Sequence, residues 1–210
     1  MIKKNWKLLL ITSLAILLPI LAGVILWNQL PEQLPIHWNT AGEIDGYSSK
    51  AFAVIGLPLI LLAFHGFTVF VTLSDPKKQN HSEKILQLIF WIIPLLSILL
   101  SSLMYSASMG KGIRMETFVS VSLGLLFVAI GNYLPKCQQN YTVGFKLPWT
   151  LHSEENWNRT HRLAGRLWVI GGFIMMILGF FNIIWLTMAI PAIMALIPSL
   201  YSYILHRKGI

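Results

Sequence analysis

Residues 167–205 read LWVIGGFIMMILGFFNIIWLTMAIPAIMALIPSLYSYIL, 39 consecutive positions without an Asp, Glu, Lys or Arg. As a single helix rising 1.5 Å per residue they would run about 58 Å, whereas the hydrocarbon core of a bilayer is about 30 Å thick. The stretch must therefore cross twice. Phe180, Phe181 and Asn182 mark the tight turn, and Trp185 supplies an aromatic anchor at the interface. Four earlier apolar blocks, residues 8–27, 51–73, 85–105 and 117–134, precede the pair 167–181 and 186–205, so six spans are expected.

Charge orients them. If the N-terminus is cytoplasmic, the inside segments hold Lys3, Lys4, Lys7, Lys77, Lys78, Lys84, Lys136, Lys146, Arg159, Arg162, Arg166, Arg207 and Lys208, leaving only Lys50, Lys111 and Arg114 outside. Lys and Arg are retained on the cytoplasmic side of short loops, which places both termini there. The expected fold is all-α: a polytopic membrane protein with six transmembrane helices. A short ordered outer segment and an inner amphipathic helix before the fifth span complete it. Residues 1–73 then hold two spans and the outer segment, 74–134 spans three and four, 135–166 a cytoplasmic loop, and 167–210 a helical hairpin with a basic tail.

The composition fits this reading and excludes others. The chain is 55% hydrophobic and 11% charged, against about 25% charged in soluble domains. Its formal charge of +8 lies on the membrane's inner side, where anionic headgroups attract it, and gives no reason to expect direct nucleic-acid binding. The first apolar block is too long for a signal-peptide core and has no small-residue cleavage pair, so it is read as a span. Cys137 is the one cysteine and offers no disulfide or thiol motif.

Pro19, Pro58, Pro94, Pro191 and Pro198 interrupt the spans, and Gly23, Gly56, Gly124, Gly171, Gly172 and Gly179 allow close helix approach. His65 is the one ionisable side chain near mid-span. It is a functional candidate by default; the structural alternative is a neutral imidazole bonded to a backbone carbonyl of an adjacent helix or to a nearby serine, with Ser97, Ser101 and Ser102 of the third span available. A small transporter or exporter would use His65 and the kinks, but the spans lack the buried carboxylates and arginines of a coupled carrier.

Outside, Leu34-Pro-Ile-His-Trp-Asn39 alternates apolar and polar residues, and Gly42 and Asp45-Gly46 then form turns. A short extended piece from Leu34 and a compact return are predicted. His37, Trp38, Asn39, Gly42, Asp45 and Lys50 are the candidates for outward recognition, with Trp38, Tyr47 and Lys50 also suited to the headgroup region. One histidine among them is too few for a zinc site.

Inside, residues 141–150 look extended, with Pro148 keeping helix from running through them. Ser153 caps a helix whose first turn carries Glu154 and Glu155. Trp157, His161, Ala164, Gly165 and Trp168 recur at helical spacing beside a stripe of Arg159, Arg162 and Arg166, which describes an amphipathic helix at the inner interface. Trp149, Glu155, Trp157, Arg159, His161 and Arg162 are candidates to face a cytoplasmic partner, the arginines by pairing with its carboxylates; the structural alternative is that Arg159, His161, Arg162 and Arg166 anchor to lipid headgroups and pair with Glu154 or Glu155. His152, Glu155 and His161 lack the spacing of a zinc peptidase, and no phosphate loop or nucleophile elbow occurs, so neither metal, cofactor nor enzymatic activity is expected.

The outer Leu34-Pro-Ile-His-Trp-Asn39 with Gly42, Asp45-Gly46 and Lys50 resembles the N-terminal domain of unknown function of SdpI-type membrane proteins. The inner Asn140-Tyr-Thr-Val-Gly-Phe-Lys-Leu-Pro-Trp-Thr150, followed by Glu155, Trp157, Thr160-His161-Arg162 and Gly165, is similar to that family's second characteristic segment. The resemblance implies six spans and immunity to a secreted killing peptide, with membrane lipids and that peptide as partners. It also implies a receptor role toward a cytoplasmic winged-helix repressor.

Overall fold

The computed structural model describes residues 2–39, 41–110, 114–181 and 183–210; of residues 2–4 and 184 it describes the backbone only. Its elements are α1 (Ile2–Ile25), β1 (Gln33–Trp38), β2 (Ile44–Ser49), α2 (Leu57–Leu73), α3 (Glu83–Ser108), α4 (Met115–Tyr133), α5 (Pro148–His152), α6 (Glu154–Leu178) and α7 (Ile184–Arg207). Among the described residues six helical stretches are long and apolar enough to cross a membrane, and at most 39% of any one's most apolar window is buried within the protein. The remaining apolar faces, Phe64, Phe67 and Phe70 of α2 among them, need hydrocarbon around them. The chain is a multi-pass membrane protein. The turn expected around residues 180–182 falls between α6 and α7, with Asn182 itself outside the described residues.

The helices form two compact units. The first comprises residues 1–73 and 87–115. Pro19 deprives α1 of a backbone donor. Near it α3 supplies hydroxyls, Ser97 Oγ donating to the Ile16 carbonyl (2.9 Å) and Tyr105 Oη to the Pro19 carbonyl (3.0 Å). These two bonds tie α3 to α1 around the proline. A π-helical turn, Phe52–Gly56, leads into α2, the Leu57 amide bonding five residues back to Phe52. Pro58, which has no amide proton to donate, follows as the second residue of α2. Leu30, Leu34, Ala53, Val54, Met104 and Tyr105 form this unit's core.

The second unit comprises residues 74–86 and 116–210. Here α4 and α6 run antiparallel with backbones in contact. A Cβ on Gly124 would lie 2.5 Å from the Gly172 carbonyl, and one on Gly165 would lie 2.7 Å from the Gly131 carbonyl. Two glycine pairs, seven residues apart on both helices, set this crossing. Helices α6 and α7 close as a hairpin around Met175, Ile190 and Met194, with Trp168 Nε1 donating to the Met194 carbonyl (3.1 Å).

The extended piece expected from Leu34 and its return form a two-stranded antiparallel hairpin within the all-α membrane fold, Gln33 pairing with Ser49 and Pro35 with Tyr47. Two details differ from the sequence reading. Asp45-Gly46, expected to form a turn, lies inside β2. Residues 44–49, with Asp, Gly and two Ser, carry little strand propensity, and pairing with β1 overrides it. Pro148 starts α5 instead of barring helix, because a first-turn residue needs no amide proton.

Candidate functional sites

The hairpin tip is held by Asn39. Its Oδ1 accepts the amides of Ala41 (2.9 Å) and Glu43 (3.0 Å), and its Nδ2 donates to the Glu43 carboxylate (3.1 Å). Gly42 follows with φ at 79°, a left-handed conformation that glycine adopts without strain. Behind the tip, His37 Nδ1 donates to Asp45 Oδ1 at 2.6 Å, although these side chains are 69% and 43% exposed. Gly46 lies opposite His37, where a Cβ would come within 2.8 Å of the histidine's own. Leu34 plugs the hairpin into the core with no exposed surface, while Trp38 is half-buried.

Lys50 does not face outward. It is 6% exposed, and its ammonium donates to the carbonyls of Trp27 (3.2 Å) and Leu30 (3.0 Å), pairs with Glu32 (3.0 Å) and sits 5.2 Å above the Trp27 ring. These carbonyls follow the end of α1, where helical partners have run out, and a cation is the natural cap. The position expected to reach lipid or ligand instead ties the hairpin to its helix.

His65 is fully buried, with Nε2 3.0 Å from Thr12 Oγ1 and its ring edge-on to Phe90. The Thr12 hydroxyl donates to the Leu8 carbonyl (2.8 Å), so the imidazole acts as donor and leaves Nδ1 as an unpaired acceptor. The expected serines of α3 are replaced as partners by a threonine of α1.

In the second unit the loop after α4 is interlocked through buried amides and one carboxylate. Asp75 accepts the amides of Lys77 (2.7 Å) and Tyr141 (2.9 Å) and the Thr142 hydroxyl, with His81 Nε2 3.4 Å away. Asn140 Oδ1 accepts the amides of Thr142 (2.8 Å) and Val143 (2.7 Å). Gln139 donates to the carbonyls of Thr150 (2.8 Å) and Leu151 (2.9 Å) and receives the Lys77 ammonium. Asn156 ties α6 to the chain's end, donating to the carbonyls of Ser202 (3.0 Å) and Ile210 (3.1 Å). Sequence reasoning passed over Asp75, Gln139, Asn140 and Asn156 as determinants. The available signals were Asp75 before Pro76 and Asn140 at the head of a Gly-containing loop, both favourable for side-chain bonds to nearby amides.

Burial divides the expected cytoplasmic face. Trp157 and His161 are 0% and 1% exposed, so they do not present themselves to a partner. Trp157 Nε1 donates to the Cys137 carbonyl (2.7 Å), and the two rings stack at 4.0 Å. His161 Nδ1 donates to the Trp157 carbonyl (2.8 Å) while Nε2 accepts the Phe145 amide (3.0 Å), a combination only neutral imidazole can make. Gly144, at φ 110°, is required beside it, since a Cβ would lie 2.2 Å from His161 Nε2. The apolar stripe at the start of α6 thus packs on protein. Burial also pushes the Cys137 thiol up to about 11, only partly offset by Asn140, which leaves it protonated and unreactive.

What stays exposed is Glu155 paired with Arg159, together with Arg162 and Arg166. Trp149 is half-buried, stacked 5.7 Å from the His206 ring. His152 turns to the Pro148 carbonyl and does not join His161. Among the described residues no group of three or more His, Cys, Asp or Glu could hold a metal.

Comparison with known proteins joins both sites. The SdpI/YfhL protein family matches residues 136–202, and a domain of unknown function, DUF1648, matches residues 14–62. The chain is 29% identical over 209 residues to the immunity protein SdpI of Bacillus subtilis (strain 168), covering 98% of this chain and 97% of that one. No solved structure matches.

Proposed function

We propose that this chain, which belongs to the SdpI/YfhL protein family, is a non-enzymatic immunity protein that protects its cell against a secreted antimicrobial peptide. The observation that carries this reading is the hairpin tip. Its backbone is fixed by Asn39 and Gly42, yet His37, Asp45 and Glu43 remain exposed beside the half-buried Trp38. Directional polar groups held rigidly at a surface bind with little ordering cost. His37, Trp38, Asn39 and Asp45 are the toxin-facing residues; Gly42 shapes the turn, and Lys50 anchors the hairpin from below.

The charge bias puts both termini and the inner loop in the cytoplasm and the hairpin outside. Trp149, Glu155, Arg159 and Arg162 then form the face toward a cytoplasmic winged-helix repressor, with Trp157 and His161 supporting it from within. The enclosure of His65 between Thr12 and Phe90 favours immunity over transport.

Expression in a toxin-sensitive bacterium tests the reading. Survival against the cognate peptide should rise, and Trp38→Ala or Asp45→Asn should abolish the gain at unchanged protein level. Equal survival with and without the protein across a panel of secreted peptides would refute immunity. A reporter inserted at Gly42 should be periplasmic and one after Arg207 cytoplasmic.

A further inference from the structure

Helices α4 and α6 leave an open groove of about 370 Å³ on the surface of the second unit. Its floor is the glycine crossing, where Gly131 and Gly165 line it as the two backbones meet, and the neighbouring Trp168 ring is engaged with Phe127 and Met194. Pro135, Val169 and Ile170 make most of the remaining wall hydrocarbon, with Asn132 as its one neutral polar side chain.

Two cations, Lys136 and Arg166, also line the groove, and both are exposed. Lys136 rests 5.6 Å above the Tyr133 ring, which leaves its ammonium donors free, and among the described residues neither cation pairs with a carboxylate. Arg162, one turn before Arg166, extends the positive charge. Lys136 is the last residue of its membrane-crossing stretch, so the cations stand where an apolar span meets water.

An apolar trough bearing two unpaired cations at a span's end is complementary to an amphiphile with a hydrocarbon chain and an anionic head. We propose that this groove binds an anionic phospholipid, its phosphate held by Lys136 and Arg166 and one acyl chain lying along Gly131, Gly165, Val169 and Ile170. The inference rests on the membrane fold and is independent of the immunity reading.

Native mass spectrometry of the full chain in neutral detergent, titrated with phosphatidylglycerol or phosphatidylcholine, tests it. A lysine or arginine near an anionic headgroup contributes about fivefold in affinity, so the two cations predict a preference for phosphatidylglycerol of about 25-fold. Lys136→Gln with Arg166→Gln should bring the two lipids to parity, whereas Arg207→Gln with Lys208→Gln should leave the preference intact. Val169→Trp, which fills the trough and keeps both cations, should lower retention of phosphatidylglycerol. A preference that survives the first pair, or is lost equally in the second, overturns the site. Inorganic phosphate competing as well as the lipid would show a free-anion site and overturn the lipid assignment.

Discussion

The Asp75 carboxylate and the Thr142 hydroxyl, 67 residues apart in the chain, share a hydrogen bond that fastens the loop after α2 to the loop after α4. The amides of Lys77 and Tyr141 converge on the same carboxylate, which has no exposed side-chain surface. One short side chain therefore organises two cytoplasmic-candidate loops that the sequence separates by two spans.

Replacing that carboxylate by an amide turns an acceptor toward its donors into a donor. Asp75→Asn should destabilise the second unit by about 2–3 kcal/mol, the cost of leaving buried donors unsatisfied. Thermal melts of the detergent-solubilised protein at neutral pH measure it; a variant melting with the parent would remove Asp75 from its organising role.

The same group predicts a pH dependence. Burial alone would raise the Asp75 carboxyl, but bonds from Thr142, Lys77 and Tyr141 and the nearby His81 outweigh it and hold it below its ordinary value of 3.8. A carboxylate depressed on folding stabilises the protein above its unfolded pKa, and that contribution disappears as pH falls through the folded value. The melting temperature should fall in acid below pH 3.8, and by less in Asp75→Asn. Parallel acid profiles would contradict this.

Lys50→Ala should strip the cap from the carbonyls of Trp27 and Leu30 and leave them buried without a partner. The expected loss is about 2–3 kcal/mol, with faster proteolysis within residues 30–50. Unchanged cleavage would mean the hairpin does not depend on that cap.

Gly172→Ala places a methyl 2.5 Å from the Gly124 carbonyl. Because backbone cannot yield as a side chain does, the variant should lose about 1–3 kcal/mol, visible as a lowered melting temperature. Gly66→Ala is the control, since a Cβ there meets nothing within 4 Å and should be tolerated.

His65→Leu removes an imbalanced polar group while Thr12 keeps its bond to Leu8. Replacing a buried polar side chain with an apolar one of similar size is close to neutral when its partner stays satisfied. Normal protein level and normal survival are expected; normal level with lost survival would restore His65 to a functional role.

The sequence alone determined the number of spans, because hydrocarbon sets a fixed crossing length and the unbroken run 167–205 exceeds it. It also marked the hairpin tip, since Asn39 and Gly42 act on backbone atoms only a few residues away, whereas Asp45-Gly46, expected to turn, lies inside β2. Local chemistry of this kind can be read along the chain. What only the tertiary structure decided is which polar residues are surface and which are support. Lys50, Trp157 and His161 read as exposed recognition groups, yet each is buried because its partners lie on distant segments: Lys50 on the end of α1, Trp157 on Cys137, His161 on Phe145. A polar side chain is stable inside only when such partners reach it, and the chain's order does not show whether they do.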